Sequence, residues 1–89
     1  MAGQVPGEDL VRQGLADLRS GVETEAALLV SIGAPRLRRL GFEIASPFVE
    51  PEHRLYAWIA RSRPDAAHAR YNALVRRLVS FERAWPCAR

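Results

Sequence analysis

A regular alternation of apolar and polar positions runs through the C-terminal third of the chain. Six apolar residues there follow one another at steps of four and three: Ala67, Tyr71, Leu74, Leu78, Phe81 and Trp85. At 3.6 residues per turn, these steps place all six on one side of a helix, and Val75 and Val79 widen the stripe. The sequence therefore predicts one long amphipathic helix, around which the rest of the fold is organised.

Both ends of this helix carry sequence signals. Ser62 with Asp65 three residues later is a variant of the capping box. Pro64 suits a first turn, where its missing N–H has no partner to lose. Pro86 cannot continue a helix and is expected to end it. The predicted helix therefore covers residues 64–85.

The N-terminal half of the chain predicts two further helices. Four apolar residues repeat the same spacing: Val11, Leu15, Leu18 and Val22. They predict a helix over residues 8–19. A second helix is expected over residues 25–32, begun either by Ser20 with Glu23 as a capping box or by Thr24 alone. Because its middle is apolar on nearly every side, this helix is expected to be the most buried.

The middle of the chain predicts a short helix, a loop and a fourth long segment. Pro35 begins a basic helical segment over residues 36–40. Residues 42–51 contain two prolines and are expected to form an extended loop whose aromatic residues fill the core. A helix over residues 51–61 follows, and three of its residues are expected to face inward: Leu55, Trp58 and Ile59.

These elements predict an all-α fold, a small bundle of four or five helices organised around the long C-terminal helix. A chain of 89 residues is expected to form one domain with a single core. We expect a flexible tail at residues 1–7, one helical domain at residues 8–86 and a short tail at residues 87–89.

Charge is distributed unevenly along the chain. Residues 1–34 hold five acids and two arginines, a net charge of −3, whereas residues 35–89 hold eleven arginines and five acids, a net charge of +6. The two halves are therefore expected to pair, either within one chain or between two chains. All 13 basic residues are arginine, which is typical of GC-rich bacterial genomes and implies no particular chemistry.

The composition also limits the compartment. Cys87 is the single cysteine, so an intrachain disulfide is excluded and a reducing compartment is favoured. The N-terminus lacks the basic and apolar regions of a secretory signal, and the longest apolar run, residues 26–32, is too short to span a bilayer. We therefore expect a cytoplasmic protein that has no membrane partner.

Motifs for catalysis or metal binding are scarce. His53 and His68 are distant in sequence from each other and from Cys87, and neither CxxC nor HExxH occurs. No serine lies in the glycine-flanked turn typical of hydrolases, and no glycine-rich phosphate loop occurs. The sequence therefore indicates no metal and no cofactor, and it favours a non-catalytic protein.

One short segment matches an enzyme motif. Residues 63–68, RPDAAH, place Arg63 and His68 at the RxxxxH spacing. The segment resembles the RxxxxH element of HEPN-type ribonucleases, which are small all-α dimers. The resemblance implies a site at a dimer interface where His68 moves a proton to or from the RNA 2′-hydroxyl and Arg63 holds the phosphate. The alternative is that His68 flanks the apolar stripe and Arg63 is a solvated residue of the first turn.

Nucleic-acid binding is a second hypothesis. The order of helix, Gly-Ala-Pro turn and arginine-rich helix is similar to a helix-turn-helix, although Arg39 falls where an apolar anchor belongs. On the long helix the arginines have no acid three or four positions away on the same face, so their charge is not neutralised there. Six arginines would form the binding surface: Arg36, Arg38, Arg39, Arg70, Arg76 and Arg77.

A protein interface on the long helix is the preferred hypothesis. A hydrophobic patch bordered by arginines is typical of protein interfaces, although the same stripe can be ordinary core. We therefore expect a small interaction module that forms a homodimer or joins a larger assembly, with nucleic acid as the alternative partner. Five residues would form this interface: Tyr71, Leu74, Leu78, Phe81 and Trp85.

Overall fold

Five helices and a 3-10 turn account for most of residues 5–88, the part of the chain that the computed structural model describes. In chain order they are α1 (Glu8–Arg19), α2 (Glu25–Ile32), α3 (Ala34–Arg39), α4 (Pro51–Ser62), the turn Pro64–Ala66 and α5 (Ala67–Ala88). These residues include no strand, so the predicted all-α fold with a long C-terminal helix is confirmed. Residues 1–4 of the predicted N-terminal tail, and Arg89, lie outside the described part.

The centre of the fold is α2. All residues at positions 26–31 are buried, and α1, α4 and α5 all contact this helix. Of the two predicted caps, Thr24 is the one that forms, because its Oγ1 accepts a hydrogen bond from the Ala27 N–H at 3.1 Å. The same hydroxyl donates to Asp17 Oδ2 at 2.8 Å, and it therefore also joins the end of α1 to the start of α2.

Both ends of the long helix differ from the prediction. Ser62 is the last residue of α4 rather than a cap, and the 3-10 turn that contains Pro64 separates it from α5. At the other end, α5 continues through Pro86, so Cys87 is helical rather than part of a tail. Proline removes the hydrogen bond to the carbonyl four residues earlier, but in a last turn only that one bond is lost.

The segment between α3 and α4 is an irregular loop held against the core, as predicted. Ile44 is buried, Phe42 packs partly against the core, and the Phe48 N–H donates to the Ser31 hydroxyl at 3.0 Å. Val49, an apolar residue of the same loop, is 72% exposed.

In α4, the three residues predicted to face inward are buried to different extents. Leu55 and Ile59 are at most 1% exposed, whereas Trp58 is only partly buried. The Arg61 guanidinium lies over the Trp58 ring at 5.0 Å and covers its outer face. The inner side of α4 therefore completes the core, and its outer side meets solvent.

Candidate interaction surfaces

Most residues of the predicted α5 interface lie inside the chain's own core. Leu74, Leu78 and Phe81 are at most 1% exposed. Tyr71 is partly buried beside Tyr56, with ring centroids 5.8 Å apart, and this burial raises the pKa of Tyr71. The apolar side chains of this stripe are shielded from water because they pack against other helices of the same chain. A partner therefore cannot touch the three buried side chains in this fold.

Trp85, the expected anchor of that interface, belongs to a cluster of three aromatic rings. Its ring centroid lies 5.1 Å from that of Phe42 and 5.3 Å from that of Phe81. The Arg12 guanidinium of α1 lies over the Trp85 ring at 5.6 Å. The core therefore extends to the end of α5, where Trp85 joins α1, the loop and α5.

The acidic and basic halves of the chain pair within one chain. The pairs are Arg70–Glu25 at 3.1 Å, Arg77–Asp9 at 3.6 Å and Arg54–Glu23 at 3.7 Å. Each pair is partly solvent-exposed and contributes little stability by itself. Their main consequence is that much of the basic charge that the sequence displays is already neutralised.

The six arginines assigned to nucleic acid now fall into two groups. Four of them already have partners. Arg70 and Arg77 pair with N-terminal acids, as described above. Arg36 Nε donates to Glu82 at 2.8 Å, and Arg38 Nε donates to the Ile44 carbonyl at 2.9 Å. Two others are exposed and have no ion pair with any described residue: Arg39 and Arg76. The structure therefore does not present the six as equivalent charges.

The residues of the RxxxxH segment lie on the surface. Arg63 precedes the 3-10 turn, His68 lies in the first turn of α5, and both are exposed. Among residues 5–88, no group of three or more His, Cys, Asp or Glu side chains is placed to hold a metal ion. No helix in the same range has both the length and the apolar content to cross a membrane.

A groove with an apolar floor opens between α1, the end of α3 and the following loop. We call it the α1 groove; its cavity is about 620 Å³, and it is lined by Leu15, Leu18, Arg19, Arg38, Phe42, Glu43, Ile44, Ala45 and Ser46. Leu15, Leu18 and Phe42 are partly exposed in the floor. Its exposed charged lining residues, which we call the rim, are Arg19, Arg38 and Glu43. The groove can therefore offer apolar area and guanidinium groups together.

A second depression lies between α3 and α5. We call it the arginine pocket; its cavity is about 580 Å³, and it is lined by Arg36, Arg39, Leu40, Val79, Glu82 and Arg83. The Glu82 side chain is only 9% exposed, and it pairs with Arg36. The other carboxylate oxygen, Oε2, is buried and has no hydrogen-bond partner in the described structure.

Sequence reasoning did not find the α1 groove. One signal was present, because Leu15 and Arg19 are four residues apart and share a face of α1. Nothing in the sequence places Phe42 of the loop beside that face.

No protein-family model, curated protein or solved structure matches the chain significantly.

Proposed function

We propose that the protein is a small non-catalytic interaction module, and that its α1 groove binds a protein segment in which apolar side chains are flanked by carboxylates. The observation that carries this proposal is the groove itself, with Leu15, Leu18 and Phe42 in its floor and arginines at its rim. Aromatic residues and arginine are enriched at protein interfaces, where they supply apolar area and bidentate hydrogen bonds.

The rim is partly ordered before any partner binds. The Arg38 guanidinium donates to the Ile44 carbonyl, so this long side chain is already held at the groove. Ordering a free side chain on binding costs about 0.5–1.5 kcal/mol, and a side chain that is already held avoids part of that cost. A carboxylate of the partner can therefore bind an arginine side chain that is already ordered before binding.

Charge favours a different protein over a symmetric copy as the occupant. In a two-fold dimer both subunits use the same patch, so two grooves that each carry two arginines and one glutamate would be brought together with their excess positive charge. Like charges placed together at an interface are strongly unfavourable. An acidic segment of another protein meets the rim without this repulsion.

The interface is expected to be small and its complex transient. Among the described residues, large apolar side chains that are clearly exposed are limited to Val22, Val49 and Tyr56. None of the three lines the α1 groove. Obligate dimers bury large, more hydrophobic surfaces, whereas transient complexes occupy the lower end of the size range.

Peptide selection tests this proposal and does not require the partner to be identified first. Random peptides displayed on phage are selected against the folded protein, and enriched peptides are resynthesised for titration. We expect them to combine apolar and acidic residues, and to bind Arg19→Glu about fivefold more weakly, equivalent to roughly 1 kcal/mol. Arg63→Glu is the matched control, because it makes the same charge change at an exposed site outside the groove.

Two outcomes would overturn the proposal: enriched peptides without carboxylates, or equal weakening by Arg19→Glu and Arg63→Glu. Light scattering of the unmodified protein is expected to give a monomer. A dimer that Arg19→Glu dissociates would instead make a second copy of the chain the occupant of the groove.

A further inference from the structure

We propose that the arginine pocket is a second binding site, independent of the α1 groove, and that it holds phosphates of a nucleic-acid backbone. Three guanidinium groups line this one depression, from Arg36 and Arg39 of α3 and from Arg83 of α5. Arginine is well suited to phosphate, because its planar group donates two parallel hydrogen bonds and stays charged.

The charges in the pocket do not cancel. Glu82 is its only acidic lining residue, and it already pairs with Arg36. Arg39 and Arg83 are exposed, and neither forms an ion pair with a described residue. The pocket therefore keeps two uncompensated positive charges beside a third guanidinium.

The contact with Glu82 also orients Arg36. The bond uses Arg36 Nε, at 2.8 Å from Glu82 Oε1, and the arginine remains 49% exposed. The Glu82 side chain is only 9% exposed, so it holds the guanidinium at the edge of the pocket. No described hydrogen bond uses the two terminal nitrogens of Arg36, which are therefore available to a phosphate.

The basic surface extends beyond one phosphate. Arg76 lies seven residues before Arg83, on the same face of α5 and about 10 Å away along the helix axis. Val79 lies between them and lines the pocket. A chain of phosphates can contact both Arg76 and Arg83, whereas a single small anion can reach only one of them.

The lining also predicts how the nucleic acid is recognised. Leu40 and Val79 are the apolar lining residues, and none of the residues that line the pocket is aromatic. Single-strand binding that involves the bases commonly relies on aromatic stacking. The site is therefore expected to bind the backbone with little preference for sequence.

This site differs from the nucleic-acid surface that the sequence predicts. It includes Arg83, which was not among the six predicted arginines. It leaves out Arg38, Arg70 and Arg77, which have partners elsewhere in the chain.

Fluorescence anisotropy with a labelled single strand tests this site. With an oligothymidine of about 15 nucleotides, the logarithm of the binding constant should fall with the logarithm of salt at a slope of about −2 to −3, as expected for three or four phosphate contacts. We expect the double variant Arg39→Glu with Arg83→Glu to weaken binding at least tenfold at low salt. Tripolyphosphate should compete, because the proposed contacts are to phosphate alone.

The matched control is Arg61→Glu with Arg63→Glu, which makes the same charge change on exposed residues outside the pocket. Circular dichroism verifies that both double variants are folded. Equal loss of binding in the two variants would show that net charge alone attracts the oligonucleotide, and would overturn the proposal. So would a failure of the unmodified protein to bind at low salt, or of tripolyphosphate to compete. Peptide binding in the α1 groove should be unchanged by Arg39→Glu with Arg83→Glu, so the two proposals can fail separately.

Discussion

Arg36 Nε donates to Glu82 Oε1 at 2.8 Å across 46 positions of sequence. Helical spacing places Glu82 inside the apolar stripe of α5, where a carboxylate needs a partner. Arg36 at the surface of α3 supplies that partner, and the pair joins the two helices. Glu82 Oε2 nevertheless stays buried without a hydrogen bond in the described structure.

We expect Glu82→Leu to raise the free energy of unfolding by about 1 kcal/mol. A buried ion pair often contributes less than well-packed apolar residues, because desolvation of the charges offsets their attraction. Leucine removes the unpartnered oxygen, and Arg36 can return to water because it is half exposed. Glu82→Gln is the control, since it stays polar and loses the charge, and it should be destabilising by about 1 kcal/mol. Urea unfolding measures the free energy of unfolding of both variants. A large decrease in Glu82→Leu would mean that the Arg36–Glu82 pair is net stabilising.

Trp85→Ala is expected to lower the free energy of unfolding by about 3 kcal/mol. The substitution removes the ring that contacts both Phe42 and Phe81 at the end of α5. Tyr56→Ala serves as the control, because Tyr56 is 41% exposed, and it should cost about 1 kcal/mol or less. Denaturation followed by circular dichroism compares the two. Equal small losses in the free energy of unfolding would argue that Trp85 contributes little to the core.

Gly14→Ala should destabilise the protein by about 2 kcal/mol, even though alanine is the better helix former by about 1 kcal/mol. A methyl group at this position would overlap the Ala26 carbonyl oxygen and lie 2.5 Å from Val30 Cγ2. Relief of the overlap requires α1 to move away from α2. Ala16→Gly, at an exposed position of α1, is the control, because it measures the difference in helix propensity between alanine and glycine alone. A gain of stability in Gly14→Ala would contradict the close approach of these helices.

Acid should weaken the start of α1 through Glu8. Its carboxylate accepts from Arg12 Nε at 2.8 Å and from the Val5 N–H at 3.1 Å, and these bonds hold the pKa of Glu8 below its ordinary value of 4.5. Because the folded pKa is the lower one, the contribution to stability is complete above pH 4.5 and is lost as pH falls through the folded value.

Thermal unfolding measured at pH values from about 2 to about 6 should show this loss, and Glu8→Gln should lack it. Glu43→Gln is the control, because Glu43 is an exposed carboxylate with no ion pair in the described structure. An identical pH profile for the unmodified protein and Glu8→Gln would show that the two bonds do not persist in solution.

The sequence alone determined that the chain is helical and where most of its helices lie, because the signals of a helix are local. Apolar spacing predicted α1 at residues 8–19, and a cap followed by an apolar run predicted α2 at residues 25–32, with Thr24 as one of the two candidate caps. A cap and an apolar stripe depend on residues within about four positions of each other, so neither signal depends on how distant segments pack. Pro86 was misjudged because a local rule for helix interiors was applied to a last turn.

The tertiary structure alone decided which apolar and charged residues pack against other parts of the same chain. The spacing of Leu74, Leu78 and Phe81 is the same for a core and for an interface, and only packing against the other helices shows that it is core. The charged halves could pair within or between chains, and the fold places Arg77 beside Asp9 in one chain. These contacts join residues tens of positions apart, so they depend on how the helices pack and not on the order of neighbouring residues.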